Sequence, residues 1–202
     1  MASGRVFIVD DLSLIHAALG QMLALDGFSL AGTATSQTVA LEQIAASKPD
    51  CVLVDLQLAV GNGMNLIQAL RKFDPVWPRL LVFSGSGEGT LRRMSHALGA
   101  DNYLHKPIER QLLVRAIMDV LADGFVRPDC GLRITEAELE VFRLLPRFET
   151  AARIAAYRGS DKKTVDTLLE RLKGKLGCSL LDLKVAARFL AAETGRVESV
   201  GF

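Results

Sequence analysis

The chain has little cysteine, little net charge and no long apolar run. Cys51, Cys130 and Cys178 are its only cysteines. An odd number with no close pair argues against a disulfide framework and against a zinc site. Cys51, inside an apolar run, is most simply a small buried residue. Lys and Arg number 24 against 23 Asp and Glu, a formal net charge of +1. No global attraction to a polyanion can be argued from that balance. No apolar run reaches the length of a membrane span, so no membrane partner is expected. Met1 to Arg5 leads straight into an apolar strand without a signal-peptide pattern, and a soluble cytoplasmic protein is the expectation. There is no internal repeat and no low-complexity segment.

Half of the 202 residues are hydrophobic, enough for one large core or two small ones. The two halves differ in charge. Residues 1–131 carry 11 basic and 13 acidic residues, whereas residues 132–202 carry 13 and 10. The second half is mildly basic, which permits nucleic-acid binding without demonstrating it.

Three short apolar runs end in ionisable residues. Val6-Phe7-Ile8-Val9 ends at Asp10-Asp11, Cys51-Val52-Leu53-Val54 ends at Asp55, and Tyr103-Leu104-His105 ends at Lys106-Pro107. Runs of this length bounded by turn signals read as buried parallel strands. Further strands are expected at Phe28–Gly32 and Leu80–Phe83. Helices are expected over Leu12–Asp26, Ser36–Ala46 with Ser36 as cap, Met64–Lys72, Leu91–Leu98 and Glu109–Leu121. Five β-α units in alternation predict an α/β fold: a five-stranded parallel sheet, doubly wound, with helices on both faces. Ligands of such sheets bind outside the carboxyl ends of the strands. One rim then gathers three carboxylates and one ammonium, a site for a divalent metal and a phosphoryl group. Mg²⁺ takes oxygen ligands, which Asp10, Asp11 and Asp55 supply. A carboxylate can accept a phosphoryl group, while Lys106 and the hydroxyl of Ser84 answer its oxygens.

At these residues the chain resembles the receiver domain of two-component response regulators, over about residues 5–123. The resemblance rests on Asp10-Asp11, Asp55, Ser84-Gly85 and Lys106-Pro107 together. It implies that Asp55 takes a phosphoryl group from a histidine kinase. It also implies that Asp10, Asp11 and Asp55, with the backbone carbonyl of Gln57, hold Mg²⁺. Lys106 pairs with the phosphate, Ser84 moves to bond it, and Tyr103 matches the switch aromatic that turns inward. The family often has Pro-Gly where this chain has Ala59-Val60. Gln57 and Ser86 sit where the access of hydrolytic water is tuned. The loop from Ser84 to Gly89 lacks the Lys-Ser/Thr ending of a nucleotide-binding loop. His16, His96 and His105 are read as surface or packing residues.

After Gly131 the strand signals stop. Residues 1–123 read as the receiver and 124–133 as a linker punctuated by Gly and Pro. Residues 134–193 read as a small all-α four-helix domain of helix-turn-helix type, and 194–202 as a tail. Thr135 to Glu138 and Ser179 to Asp182 are capping boxes, and Asp161 caps a helix running to about Leu176. On that helix Val165, Leu168 or Leu169, Leu172 and Leu176 form the apolar stripe. Lys162, Lys163, Thr164, Thr167, Arg171 and Lys175 lie largely off it, where they can face DNA. The segment resembles the LuxR-type (NarL/FixJ) DNA-binding domain through Ile134-Thr135, Glu138, Glu140-Val141, Leu144-Leu145, Ile154-Ala155, Lys163-Thr164-Val165 and Lys175-Leu176-Gly177. It departs from that pattern at Phe148, Ala152-Arg153 and Asp166-Thr167-Leu168. The expectation is a transcription regulator and not an enzyme, with DNA and a histidine kinase as partners and a homodimer on phosphorylation. The rival is a phosphorylation-controlled protein-interaction regulator with weakened or lost DNA binding, favoured by Asp166, Leu168 and the modest charge.

Overall fold

The computed structural model describes residues 4–87, 89–127 and 132–191. Glu88, linker residues 128–131 with Cys130, and the expected tail lie outside the described residues. Strands β1 (Arg5–Val9), β2 (Ser29–Ala34), β3 (Cys51–Val54), β4 (Arg79–Ser84) and β5 (Asn102–His105) form one sheet in the order β2-β1-β3-β4-β5. All four pairings are parallel. Helices α1 (Ser13–Ala24), α2 (Gln37–Ser47), α3 (Gly63–Phe73), α4 (Gly89–Leu98) and α5 (Arg110–Leu121) connect and follow the strands.

Successive strand residues point to opposite faces, and both faces are covered. Val6, Ile8, Leu53, Leu81 and Phe83 pack with Leu19 and Leu23 of α1 and Leu113 and Ile117 of α5. Phe7, Val9, Val52, Val54, Leu80 and Val82 pack with Ile44 of α2, Leu66 and Ile67 of α3, and Leu91 and Met94 of α4. Each side chain fully withdrawn from water contributes roughly 1.5–3 kcal/mol. That two-sided burial explains why the strands read as unbroken apolar runs. The second strand is displaced from Phe28–Gly32. Phe28 itself turns into the core at 4% exposure. The ladder to β1 carries the strand on through Thr33 and Ala34, which pair with Ile8 and Val9. Pairing outweighs the weak β preference of Gly32 and its small neighbours.

The caps fall on polar residues that local chemistry favours. Ser36 accepts from the Val39 N–H and Asn62 from the Asn65 N–H. The Asn62 cap starts α3 at Gly63, one residue before the expected Met64. In the second half, α6 (Glu136–Leu144), α7 (Ala151–Arg158), α8 (Lys162–Leu176) and α9 (Leu180–Ala191) follow one another. Thr135 and Glu138 form the full capping box of α6, Thr150 caps α7 and Asp161 caps α8. Ser179 and Asp182 exchange bonds ahead of α9. Helices α7 and α8 end on Gly159 and Gly177, both at positive φ, where a side chain would be strained.

The four helices share a core of Leu139, Phe142, Ile154, Val165, Leu172, Leu176 and Leu183, continuous with the α3–α4 side of the sheet. At the seam Glu136 of α6 accepts from Gln68 and Lys72 of α3, and Arg143 donates to Gln68. The start of the linker is tied to the opposite end of the sheet. Arg127 donates to Asp101 and to the Pro75 carbonyl, and Arg79 lies over the Phe125 ring. Among the described residues, no helix is long and apolar enough to cross a membrane.

Candidate functional site

The parallel register brings the strand ends to one edge. Val9 pairs with Val54, Val54 with Val82, and Ser84 with His105. The next residues, Asp10, Asp55 and Lys106, therefore emerge side by side. Lys106 Nζ donates to Asp10 Oδ2 and to Asp55 Oδ2, each at 2.5 Å. Asp10 is 2% exposed and Asp55 9%, so two carboxylates share one ammonium in a nearly dry setting.

The remaining oxygens are also engaged. Asp55 Oδ1 accepts from the Gln57 N–H at 3.1 Å. Asp10 Oδ1 accepts from the Leu12 N–H at 2.9 Å. Asp10 thus caps the turn into α1 and faces the site at once. Burial pushes the Asp55 carboxyl above the ordinary carboxylate range; the Lys106 charge and hydrogen bond and the Gln57 N–H oppose this, and the Asp10 charge adds to it. Burial works to lower the Lys106 ammonium, but the Asp55 charge and the bonds to Asp10 and Asp55 outweigh it and hold the ammonium above its usual range. Lys106 is held as a cation, and Asp55 is held by that ammonium and by the Gln57 N–H.

Ser84 and Tyr103 complete the rim. Ser84 is fully buried and its Oγ has no hydrogen-bond partner, which costs about 1–3 kcal/mol unless something answers it. The Tyr103 ring is turned inward at 5% exposure and donates its hydroxyl to the Ser86 carbonyl at 2.6 Å. Burial pushes that phenol up to about 12. The Arg92 guanidinium lies 5.4 Å from the ring centroid.

The expected metal set is gathered only in part. Among the described residues, no three His, Cys, Asp or Glu are gathered closely enough to hold a metal. Asp10 and Asp55 are brought together but Asp11 is not drawn in with them. Lys106 Nζ bonds both of the buried carboxylates that are brought together. Gln57 is at the site by its N–H, and its side chain turns outward to donate to the Phe189 carbonyl of α9 at 2.8 Å.

Two supporting residues escape sequence reasoning. A Cβ on Gly63 would lie 2.1 Å from the Asp55 carbonyl oxygen, so only glycine lets α3 start this close to the acceptor loop. His16 Nε2 lies 2.7 Å from the Asp10 carbonyl oxygen. Gly61-Asn62-Gly63 reads as a turn, which signals the glycine but not its proximity to Asp55. Nothing in the sequence places His16.

The residues expected to face DNA separate into three groups. Lys163, Thr164, Thr167 and Arg171 are exposed along one side of α8 and border a shared surface hollow. Lys162 is exposed but paired with Asp166 one turn on, at 2.5 Å. Lys175 is a correction: its ammonium donates to the Arg133 carbonyl and to the buried Glu138 carboxylate, at 2.6 and 2.7 Å. It ties α8 to α6 and does not face outward.

Comparison with known proteins accords with this geometry. Residues 6–118 match the family model of the response regulator receiver domain. The chain is 27% identical over 216 residues to the DNA-binding transcriptional activator DevR/DosR of Mycobacterium tuberculosis, covering 98% of each. Its fold is similar to that of RcsB from Salmonella enterica bound to promoter rprA in the presence of phosphomimetic BeF3-, with TM-score 0.60, 17% identity, and 94% and 98% of the two chains covered. It is similar in fold to CheY in the CheX-CheY-BeF3-Mg+2 complex of Borrelia burgdorferi, with TM-score 0.56, 24% identity, and 59% and 90% covered. The chain belongs to the response regulators of two-component systems, with its receiver over residues 6–118 and regulators of the NarL and LuxR families among its relatives.

Proposed function

We propose that this response regulator accepts a phosphoryl group on Asp55 from a histidine kinase and thereby controls DNA binding by its C-terminal helices. The observation that supports this most is the shared ammonium: Lys106 bonds both Asp10 and Asp55 at adjacent strand ends, beside the unanswered hydroxyl of Ser84. In the transfer an Asp55 carboxylate oxygen attacks phosphorus, the P–N bond to the kinase imidazole breaks, and the imidazole takes up a proton. The new phosphoryl oxygens meet the Lys106 ammonium and give Ser84 Oγ an acceptor. The donor set also fits Mg²⁺, since two buried carboxylates carry more negative charge than one ammonium cancels. Asp10, Asp11, Asp55 and the Gln57 carbonyl would hold it, and bound Mg²⁺ supplies charge to the transferring oxygens. The relative DevR/DosR is described as a DNA-binding activator, and the RcsB neighbour was solved on its promoter. On this reading residues 1–123 are the receiver, 124–133 the linker, 134–193 the DNA-binding domain and 194–202 a tail. The protein acts in the cytoplasm and pairs as a homodimer on phosphorylation.

Asp55→Asn should take up no label from a phosphorylated kinase. Uptake by that variant would remove the acceptor assignment. Lys163→Ala should weaken binding to all duplexes and reduce the salt slope by about 1. Binding that is unchanged across a salt series would argue against α8 as the contact.

A second reading is a phosphorylation-controlled regulator that binds a protein and not DNA. It is favoured by the pairing of Lys162 with Asp166 and of Lys175 with Glu138, which leaves α8 fewer free cations than its sequence promises. A titration of the folded protein with random and genomic duplex decides between the two.

A further inference from the structure

The acids of α8 are answered from within the helix. Asp161, its cap, accepts from the Thr164 N–H and from the Thr164 hydroxyl. Asp166 is paired with Lys162 at 2.5 Å, and Glu170 with Lys173 at 2.8 Å. Lys163 and Arg171 are exposed, and their charged groups stand in no ion pair among the described residues. Thr167, also exposed, lies midway between them in the chain. At 3.6 residues per turn the three fall within about 80° around the helix axis, and they border one surface hollow with Thr164 and Leu168. The outward face of α8 is thus two free cations with a threonine between them.

That threonine is chemically narrowed. Thr167 Oγ1 donates to the Lys163 carbonyl one turn back, at 2.8 Å. A hydroxyl carries a single proton. Thr167 therefore has no donor left for guanine O6 or N7, adenine N7 or thymine O4, which are all acceptors. With the hydroxyl turned back along the helix, the group it offers outward is its methyl. In the major groove the apolar counterpart is the 5-methyl group of thymine. Arg171 keeps its whole fork of donors, which fits guanine O6 and N7 together. The rise from Thr167 to Arg171 is about 6 Å, close to two base steps of ~3.4 Å. We infer that Thr167 is a specificity-determining residue that selects a thymine through its 5-methyl group, with Arg171 selecting a guanine about two base pairs away. This rests on the reading of α8 as the DNA contact. Lys163, at the start of the helix, is left to hold phosphate, which fixes position and carries no sequence information.

The test uses the full chain with Mg²⁺ and acetyl phosphate. A pool of random-sequence duplex is taken through rounds of binding, and the retained site is then altered one base at a time. Replacing a thymine by uracil removes only the 5-methyl group. At one thymine this should weaken binding about 4-fold, the effect of losing one buried methyl. Thr167→Ser keeps the hydroxyl and lacks the methyl, so it should bind the thymine and uracil duplexes alike at that position. Thr167→Val, which has the methyl and no hydroxyl, should restore the preference. At a guanine about two steps away, 7-deazaguanine lacks N7 and should weaken wild-type binding about 5-fold, with no such difference in Arg171→Ala. A retained site without thymine, or a uracil series without effect, would overturn the assignment. So would a preference that persists in Thr167→Ser, as reading through the oxygen requires, or one lost in Thr164→Ser instead. Each of those outcomes leaves α8 as the DNA contact. If no duplex is retained at all, the DNA-binding reading itself fails and this inference falls with it.

Discussion

The two ends of the sheet carry opposite arrangements of the same charges. At the carboxyl end, Asp10 and Asp55 share the single cation Lys106. At the amino end, the fully buried carboxylate of Asp101 is held by Arg71 at 2.8 Å, Arg127 at 2.9 Å and Arg79 at 3.7 Å. Its Oδ2 also accepts from the Leu80 N–H at 2.7 Å. Arg71 spends its other donors on the Gly99 and Pro78 carbonyls. Asp101 and Arg71 are answered from within the chain, and the cluster fastens α3, β4, β5 and the linker together. At the carboxyl end a negative charge is left over, a hydroxyl lacks a partner, and burial works against ionised Asp55. Two buried carboxylates on one cation beside an unpartnered hydroxyl mark a place where something is to be added; one carboxylate enclosed by three guanidinium groups marks a structural joint.

Breaking either end should separate these roles. The largest effect is on chemistry. Asp55→Asn removes the nucleophilic oxygen, so phosphoryl uptake in a filter or mass assay should fall to background while the circular dichroism spectrum is kept. Next comes the structural end. Asp101→Ala strips the partner from three arginines, of which Arg71 is only 8% exposed in its side chain. Breaking a buried pair from one side costs about 3–5 kcal/mol, and a urea titration should show that loss. Asp101→Ala protein that still folds should keep accepting phosphate. If it folds normally with an unchanged midpoint, the joint is not one.

Much of this contrast is legible in the sequence, though unequally. The acids and Lys106 stand at the ends of apolar runs, and strand order alone delivers them to one rim. The helix caps are legible for a similar reason: Ser36, Thr135 and Asp161 act on backbone three residues away. The arginine joint is not legible, because Arg71, Arg79, Asp101 and Arg127 come from four separate segments with no local pattern. Lys175 misleads for the same reason. Its place off the apolar stripe suits DNA, yet Glu138, 37 residues earlier, reaches it in the folded chain. Lys106 between the acids is a third case: the charges are readable, but which cation fills the gap depends on distances that only the fold sets.

Gly63 sharpens the comparison at the acceptor end with a smaller effect. Its missing Cβ leaves room for the Asp55 carbonyl. Gly63→Ala places a carbon where backbone stands, and backbone cannot swing aside as a side chain can. Overpacking of this kind costs about 1–3 kcal/mol. The acceptor loop must move to relieve it, so slower phosphorylation by acetyl phosphate should accompany the lower urea midpoint. Normal phosphorylation at a lowered midpoint would show that α3 yields and the loop does not.

The smallest effect carries a sign that tells the two ends apart. Burial raises Asp55 above its ordinary value of 3.8. A carboxyl whose folded value is raised binds more protons folded than unfolded. Stability then falls as pH rises through the window between the two values, and the deficit persists above it. Asp55→Asn removes that deficit and retains an oxygen for the Gln57 N–H, while Lys106 keeps Asp10. Without phosphodonor, the variant should therefore unfold at higher urea than wild type near neutral pH, and the two midpoints should converge as pH falls through the carboxylate range. A site whose disabling stabilises the fold is held under strain for its chemistry. The opposite sign, with Asp55→Asn less stable at neutral pH, would mean that the Lys106 bridge outweighs burial and that the acceptor end is a joint like the other.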